Sequence, residues 1–448
     1  MIARVALACL LIALPASGAA PPPLLVTVGD VTDTGAVLWA RGRSPAPITV
    51  RYGETGGPPA AEREIKVSAA ADLSGKVALA GLAPAARYRY TVSQSGHDVP
   101  GEFVTAPAAG AAAPVRFAWS GDLGSRTQCR HLTDGYPIFR ALAGVKADFF
   151  VFAGDTIYAD HPCGGPDRVP GYQFVATKLP EYLAKHRYNR EDLDVQAYFR
   201  SVSVYAVWDD HDVRNDFSGP REPLMPIGRQ AFLDYFPIEP PAVEPGRLYR
   251  KFRWGSLLEL FILDTRQYRS PNAERDGPGK TMLGAAQKRW LIESVTGSTA
   301  VWKVVVSSVP LSVPTGGKAR DSWSNADVLG FPVENGTGFA IERDALLRAF
   351  RQHGVRNLVF LAADVHHAEL IRHHPVGDWS FHEFIAGPLS ASLGRPRPLD
   401  NGLNPRSLFA MGGTENFGLV SVDAVGLTVK IVDVTGAVRF THTIGPEP

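Results

Sequence analysis

Four short stretches of this chain carry carboxylates or imidazoles directly after apolar runs. They are Ser120-Gly121-Asp122-Leu123-Gly124, Ala153-Gly154-Asp155-Thr156-Ile157-Tyr158, Trp208-Asp209-Asp210-His211-Asp212 and Ala363-Asp364-Val365-His366-His367. Acids crowded in this way are costly in a folded interior unless cations or hydrogen bonds offset their repulsion. A pair of metal ions is the economical offset, and such a pair makes water nucleophilic toward phosphorus in line, with no phosphoenzyme. Asp122 and Asp155 sit in Gly-Asp turns that aim a carboxylate over a sheet edge. Asp155 is placed to bridge two cations, and Tyr158, three residues on, offers a hard phenolate oxygen suited to Fe(III). His211 either donates a proton to a phosphate oxygen or leaving alkoxide, or is an orienting histidine hydrogen-bonded to a neighbouring Asp. By the two-residue strand period, Asp364 and His366 face the same side, each toward a different metal, while His367 turns away in a structural role. Arg266 presents a planar fork for phosphate oxygens, unless a salt bridge to Asp264 or another loop acid occupies it. Asn215 is a weaker candidate for phosphate contact.

The elements that must position these residues follow from hydrophobic pattern. Val115 to Trp119 and Asp148 to Phe152 are near-continuous apolar runs, as strands covered on both faces require. Further strands are expected at 202–208, 257–263, 302–307, 356–361 and 380–385, with helices at 134–142, 181–185, 195–200, 285–294 and 341–353. This alternation argues for a layered α/β core whose strand ends converge on one rim. Before it, residues 24–106 alternate apolar and polar positions in short runs separated by Gly, Pro and Asp turns, the pattern of a β-sandwich. Residues 107–114 have no amphipathic period and read as a linker, leaving 115–448 as the catalytic domain. The stretches 159–173, 270–284 and 387–418 are loops by composition and are expected to wall an active site. The final alternating runs, 418–422 and 427–432, form a closing antiparallel hairpin.

With 448 residues, 45% hydrophobic and 20% charged, the chain has material for two domains and a large core. A formal net charge of +1 gives no polybasic surface, so nucleic acid is not expected as a partner. Residues 1–20 combine Arg4, an apolar stretch from Val5 to Leu14 too brief to span a bilayer, and small residues suited to cleavage. They read as a signal peptide, which implies export to a periplasm or the extracellular medium without stable membrane insertion after cleavage. In that oxidising setting Cys129 and Cys163 are expected to form a disulfide; the alternative is that Cys129 is a thiolate ligand.

These motifs, with Leu263-Asp264-Thr265-Arg266-Gln267-Tyr268-Arg269, together resemble the PhoD-like (alkaline phosphatase D) branch of the calcineurin-like and purple acid metallophosphoesterases. The resemblance implies a layered α/β metallophosphoesterase sandwich preceded by a fibronectin III-like β-sandwich. It also implies Fe(III) on Asp122, Asp155, Tyr158 and His366, and a second ion on Asp155, Asp210 and Asp364. Oxygen-rich ligands at the second position favour Ca(II), with Mn(II) or Mg(II) next. Two departures stand out: Asp122 replaces a cysteine found in some relatives, and the run ending Ser307-Ser308 lacks a histidine that the purple acid enzymes carry. The implied substrate is a small-molecule phosphoester, mono- or diester, for phosphate scavenging. The rivals are a phospholipase D-type phosphodiesterase and a non-catalytic surface-binding protein. A serine hydrolase is disfavoured because no Gly-x-Ser-x-Gly elbow occurs.

Overall fold

In the computed structural model, residues 20–447 are described. All but the last residue of the expected signal peptide lies outside them. Two mixed sheets form the centre of the molecule. The nine-stranded sheet runs, in spatial order, Val438–Ile444, Leu427–Asp433, Asn416–Val422, Val115–Ser120, Phe149–Ala153, Ser203–Val207, Leu25–Gly29, Gly35–Arg41 and Ser74–Ala80. The seven-stranded sheet runs Arg250–Trp254, Leu258–Ile262, Trp302–Val306, Leu358–Ala362, Trp379–Ile385, Ala368–Val376 and Pro405–Met411. Strands 115–120, 149–153 and 203–207 are mutually parallel, as are 258–262, 302–306, 358–362 and 379–385.

The parallel strands are mostly apolar because both of their faces are covered. Phe149–Ala153, Ser203–Val207, Leu258–Ile262 and Leu358–Ala362 are buried at every position. Between the sheets an aromatic layer interlocks. Phe149 packs on Trp254 at 4.7 Å between ring centroids, Tyr205 on Phe252 at 4.5 Å, and Trp119 on Phe384 at 6.5 Å. The polar tips of this layer are satisfied, with Trp254 Nε1 donating to the Tyr205 hydroxyl at 3.0 Å and Trp119 Nε1 to the Ala362 carbonyl at 3.3 Å. Helices Ile138–Gly144, Leu179–Arg190, Leu193–Phe199, Met225–Tyr235, Gly284–Thr296 and Ala340–Gln352 supply the α component. No described helix is long and apolar enough to cross a membrane.

At the amino terminus, strands Ala61–Ile65, Ile48–Glu54, Arg87–Gln94 and His97–Val104 form a four-stranded sheet that completes a sandwich with strands 25–29, 35–41 and 74–80. The Tyr88 hydroxyl accepts from the Ala83 backbone at 2.8 Å, pinning the corner that enters strand 87–94. The sandwich and the α/β core share one hydrophobic core, and strand 25–29 pairs in parallel with strand 203–207 at Gly29 and Val204. Residues 107–114 dock on the 250–262 hairpin, where the Ala111 carbonyl accepts from Ser256 N at 2.8 Å. Two expectations shift at the edges. Residues 387–418 include strand Pro405–Met411, and helix Met225–Tyr235 lies where none is legible in the sequence.

Candidate metal centre

Six of the parallel strands lead, at their carboxyl ends, into residues of one polar cluster. Asp122 follows strand 115–120, Asp155 follows 149–153, Asp210 follows 203–207, Asp264 follows 258–262, Ser308 follows 302–306 and Asp364 follows 358–362. The backbone is bent sharply to bring them together. Asp122, Asp155, Asp364 and His366 all have left-handed φ, between 48° and 68°. Such conformations cost about 1–3 kcal/mol each and persist where the surroundings over-determine them. The Asp364–His366 segment is therefore a turn, and the two side chains share a side because of paired left-handed residues, in place of the strand alternation expected from sequence. Glycine is required around them. A Cβ on Gly154 (φ 108°) would lie 2.7 Å from Asp209 Cβ, and one on Gly387 (φ 142°) would lie 2.6 Å from Asp122 Oδ2.

Among the described residues, three of the five sets of ligand atoms that gather within 4.8 Å of one another join the strand-end acids: Asp122, Asp155 and His366; Asp155, Asp210 and His211; and Asp209, Asp210 and Asp364. Asp155 and Asp210 each belong to two of these sets. Both carboxylate oxygens of Asp122, Oδ1 of Asp210 and Oδ2 of Asp364 are buried with no hydrogen-bond donor. Buried anionic oxygens without donors are strongly unfavourable, and a cation is the partner they fit. Burial, followed by repulsion from Asp209 or Asp210, pushes the Asp122, Asp155 and Asp364 carboxyls well above their usual range. The donor set thus fits two hard cations.

His366 is poised as a ligand by its other ring nitrogen. Nδ1 lies 2.6 Å from the Ser392 carbonyl, which can only accept, so the proton resides on Nδ1 and Nε2 keeps its lone pair. Nε2 stands 2.9 Å from the Tyr158 hydroxyl and 3.7 Å from Asp122 Oδ1. His211 is held by Asp160, whose Oδ1 lies 2.8 Å from Nδ1, while its backbone N–H donates to Asp155 Oδ1 at 3.1 Å. Burial would lower the His211 pKa, but Asp210 and Asp160 outweigh it and raise it to about 9. Asn215 lines the cleft, and its backbone donates to Asp160 Oδ2 at 2.8 Å. The cleft is a cavity of about 470 Å³ that also contains His161, Arg126, Arg397 and Ser392.

Arg266 is a correction. Its side chain is 0% exposed, and its guanidinium is consumed by Asp209, at 2.5 and 3.0 Å, and by Asp321 at 2.7 Å. It has no free face for a phosphate oxygen. The loop-acid alternative holds, although the acids are Asp209 and Asp321; Asp264 instead accepts from the Arg266 backbone at 3.0 Å. Ser308, in the run that lacks a histidine, donates to Asp209 Oδ1 at 2.7 Å. His367 is buried against the Val365 carbonyl and Glu369, away from the cluster. Cys129 and Cys163 are joined as a disulfide with Cα atoms 5.7 Å apart, which leaves no thiolate for a metal.

Asp160 and Asp321 escape sequence reasoning. Asp160 lies two residues past Tyr158, inside a run already read as a loop wall, and Asp321 sits in a Gly-, Arg- and Ser-rich segment with no element signal. Asp160→Asn is expected to lower kcat about tenfold to a hundredfold by leaving His211 unanchored. KM should move little, because the carboxylate lies behind the imidazole. Steady-state kinetics at fixed metal content would check this, and an unchanged kcat would remove Asp160 from any role.

The comparisons agree with this geometry. A family model described as PhoD-like phosphatase matches residues 117–429. Alkaline phosphatase D of Bacillus subtilis (strain 168) is 27% identical over 318 residues, which cover 64% of this chain and 52% of the relative, so the match spans about half of that protein's length. Among solved structures, one titled as the structure of PhoD superposes with a TM-score of 0.77 at 20% identity, covering 97% of this chain and 94% of the other. A purple acid phosphatase from yellow lupin (Lupinus luteus) seeds superposes at 0.65 and 14% identity, covering 95% and 74%. At those identities the two structures speak for the fold alone, a layered α/β core behind a β-sandwich. The family match over residues 117–429, well over half of the sequence, makes this chain a member of the PhoD-like phosphatase family.

Proposed function

We propose that this protein is an exported two-metal phosphoesterase that hydrolyses phosphomonoesters, with diesters as a further substrate class, in the service of phosphate scavenging. The observation that carries the reading is the group of buried carboxylate oxygens on Asp122, Asp210 and Asp364 that have no donor at the strand ends of a PhoD-like fold. Asp122, Asp155, Tyr158 and His366 would hold Fe(III), the phenolate and imidazole complementing two carboxylates. Asp155, Asp210 and Asp364 would hold Ca(II), since all three offer oxygen alone, with Mn(II) or Mg(II) as substitutes. Two such cations, when bound, supply Lewis acidity and lower the pKa of a water.

The residues of the chain do the rest. Asp155 is shared by the group containing Asp122 and His366 and the group containing Asp210 and His211, so it would serve both cations. His211, aligned by Asp160 and packed at a tilt against Tyr158 with ring centroids 4.3 Å apart, is directed to give a proton to the leaving oxygen. Asn215, together with Arg397 in place of the buried Arg266, lines the wall where the remaining phosphoryl oxygens would rest.

Exhaustive chelation is expected to abolish phosphate release, and restoring Fe(III) with Ca(II) to recover it. Metal analysis of the purified protein, with rates on a phosphomonoester, a diester and phosphatidylcholine, checks both the metals and the substrate class. Full activity in metal-stripped protein would sink the two-metal reading. A clear preference for phosphatidylcholine would move the assignment to the phospholipase D type.

A further inference from the structure

Two cavities meet at one wall. Beside the catalytic cleft lies a second cavity of about 470 Å³ lined by Arg126, His161, Pro162, Gly164 and Gln173. Arg126 and His161 belong to both. The His161 ring is fixed from several directions. Ser125 Oγ lies 3.2 Å from its Nδ1, Arg126 Nε 3.4 Å from its Nε2, and Lys185 Nζ donates to its carbonyl at 2.6 Å. Its face stacks on Tyr158 at 5.3 Å, and its centroid is 4.8 Å from that of His211. The two loops that supply the cavity are tied together. Arg126 lies three residues before Cys129, Pro162 and Gly164 flank Cys163, and the disulfide joins the pair.

We propose that this second cavity is the leaving-group subsite and takes the aromatic or heteroaromatic portion of the substrate alcohol. The proposal rests on the phosphoesterase reading and on His211 as proton donor. In hydrolysis the bond between phosphorus and the alcohol oxygen breaks as water oxygen bonds to phosphorus; water gives up a proton and the leaving oxygen gains one. An oxygen placed to receive that proton from His211 carries its first carbons past the imidazole, and the next surface they meet is His161. A flat ring, an apolar floor of Pro162 and Gly164, and a guanidinium at the rim form a surface on which another ring stacks. A small aliphatic alcohol would leave that surface in water and gain nothing from it.

Benzyl phosphate and ethyl phosphate test this, because both release an alkoxide and only one carries a ring. Metal-loaded wild-type protein is expected to favour benzyl phosphate at least tenfold in kcat/KM, the scale on which a well-filled apolar pocket discriminates. Gln173→Trp fills the cavity from its exposed rim, and Gly164→Leu fills it from the other end of the same loop, where a new Cβ would meet only the flexible Gln173 side chain, at 3.0 Å. Each should lower kcat/KM for benzyl phosphate about tenfold through KM and leave ethyl phosphate within about twofold. Equal wild-type rates on the two esters, or variants that slow both alike, would overturn the subsite and leave phosphoester hydrolysis standing. Failure to release phosphate from either ester would overturn both.

Discussion

Asp155→Asn is expected to abolish turnover, by roughly three orders of magnitude or more, since each factor of ten is 1.36 kcal/mol and a metal pair supplies several kcal/mol. Asp155 is shared by the set containing Asp122 and His366 and the set containing Asp210 and His211, so its carboxylate is placed to reach a cation in each. Asparagine keeps the shape but halves the acceptor count, removes the charge and turns an N–H₂ toward one of the cations. Metal content should fall from two ions per chain to one or fewer. A second readout separates this from simple unfolding. Without metals, Asp155 is a buried acid repelled by Asp210, Asp209 and Asp122, so the metal-free variant should melt above the metal-free wild type. Near-normal phosphate release with both metals retained would refute the bridging role.

The parts of this site that were legible in the sequence share one property: they are announced by local pattern. An apolar run followed by Gly-Asp requires only a strand and a turn, and Asp122, Asp155, Asp210 and Asp364 each follow such a run and meet in one place. The parallel order of their strands follows from the same alternation of strands and helices. Arg266 stays ambiguous in the sequence because a sequence shows what a fork can bind, while burial decides what it does bind. Asp321, which occupies that fork, is 55 residues away in a segment without period. The amino-terminal sandwich was legible as strands, but its fusion into the larger core was not. That fusion depends on pairings such as Trp39 Nε1 to the Asp234 carbonyl, 195 residues apart. Strand Pro405–Met411 reads as loop because it is a half-exposed edge with little alternation to declare it.

Arg266→Ala is expected to destabilise the fold by about 3–5 kcal/mol, the range found when one member of a buried ion network is removed. The guanidinium lies between Asp209 and Asp321, which are 1% and 2% exposed, so its loss strands two carboxylates where water cannot reach them. Asp321 would keep Arg269 Nη1 and Asn272 Nδ2, each at 2.7 Å, whereas Asp209 would retain Ser308 as its side-chain donor. The loop bearing Asp210 should therefore loosen first, because Asp209 and Asp210 are adjacent and Arg266 Nη2 is also 3.5 Å from Asp210 Oδ1. Lysine is a poor substitute, since one ammonium cannot span both carboxylates as the planar fork does. Urea denaturation and soluble yield are the measurements that decide. A phosphate clamp would leave stability at the wild-type value and raise KM, whereas a structural hub lowers the unfolding midpoint before any kinetic constant can be read. Wild-type stability in Arg266→Ala, with a selective rise in KM, would return this arginine to the substrate.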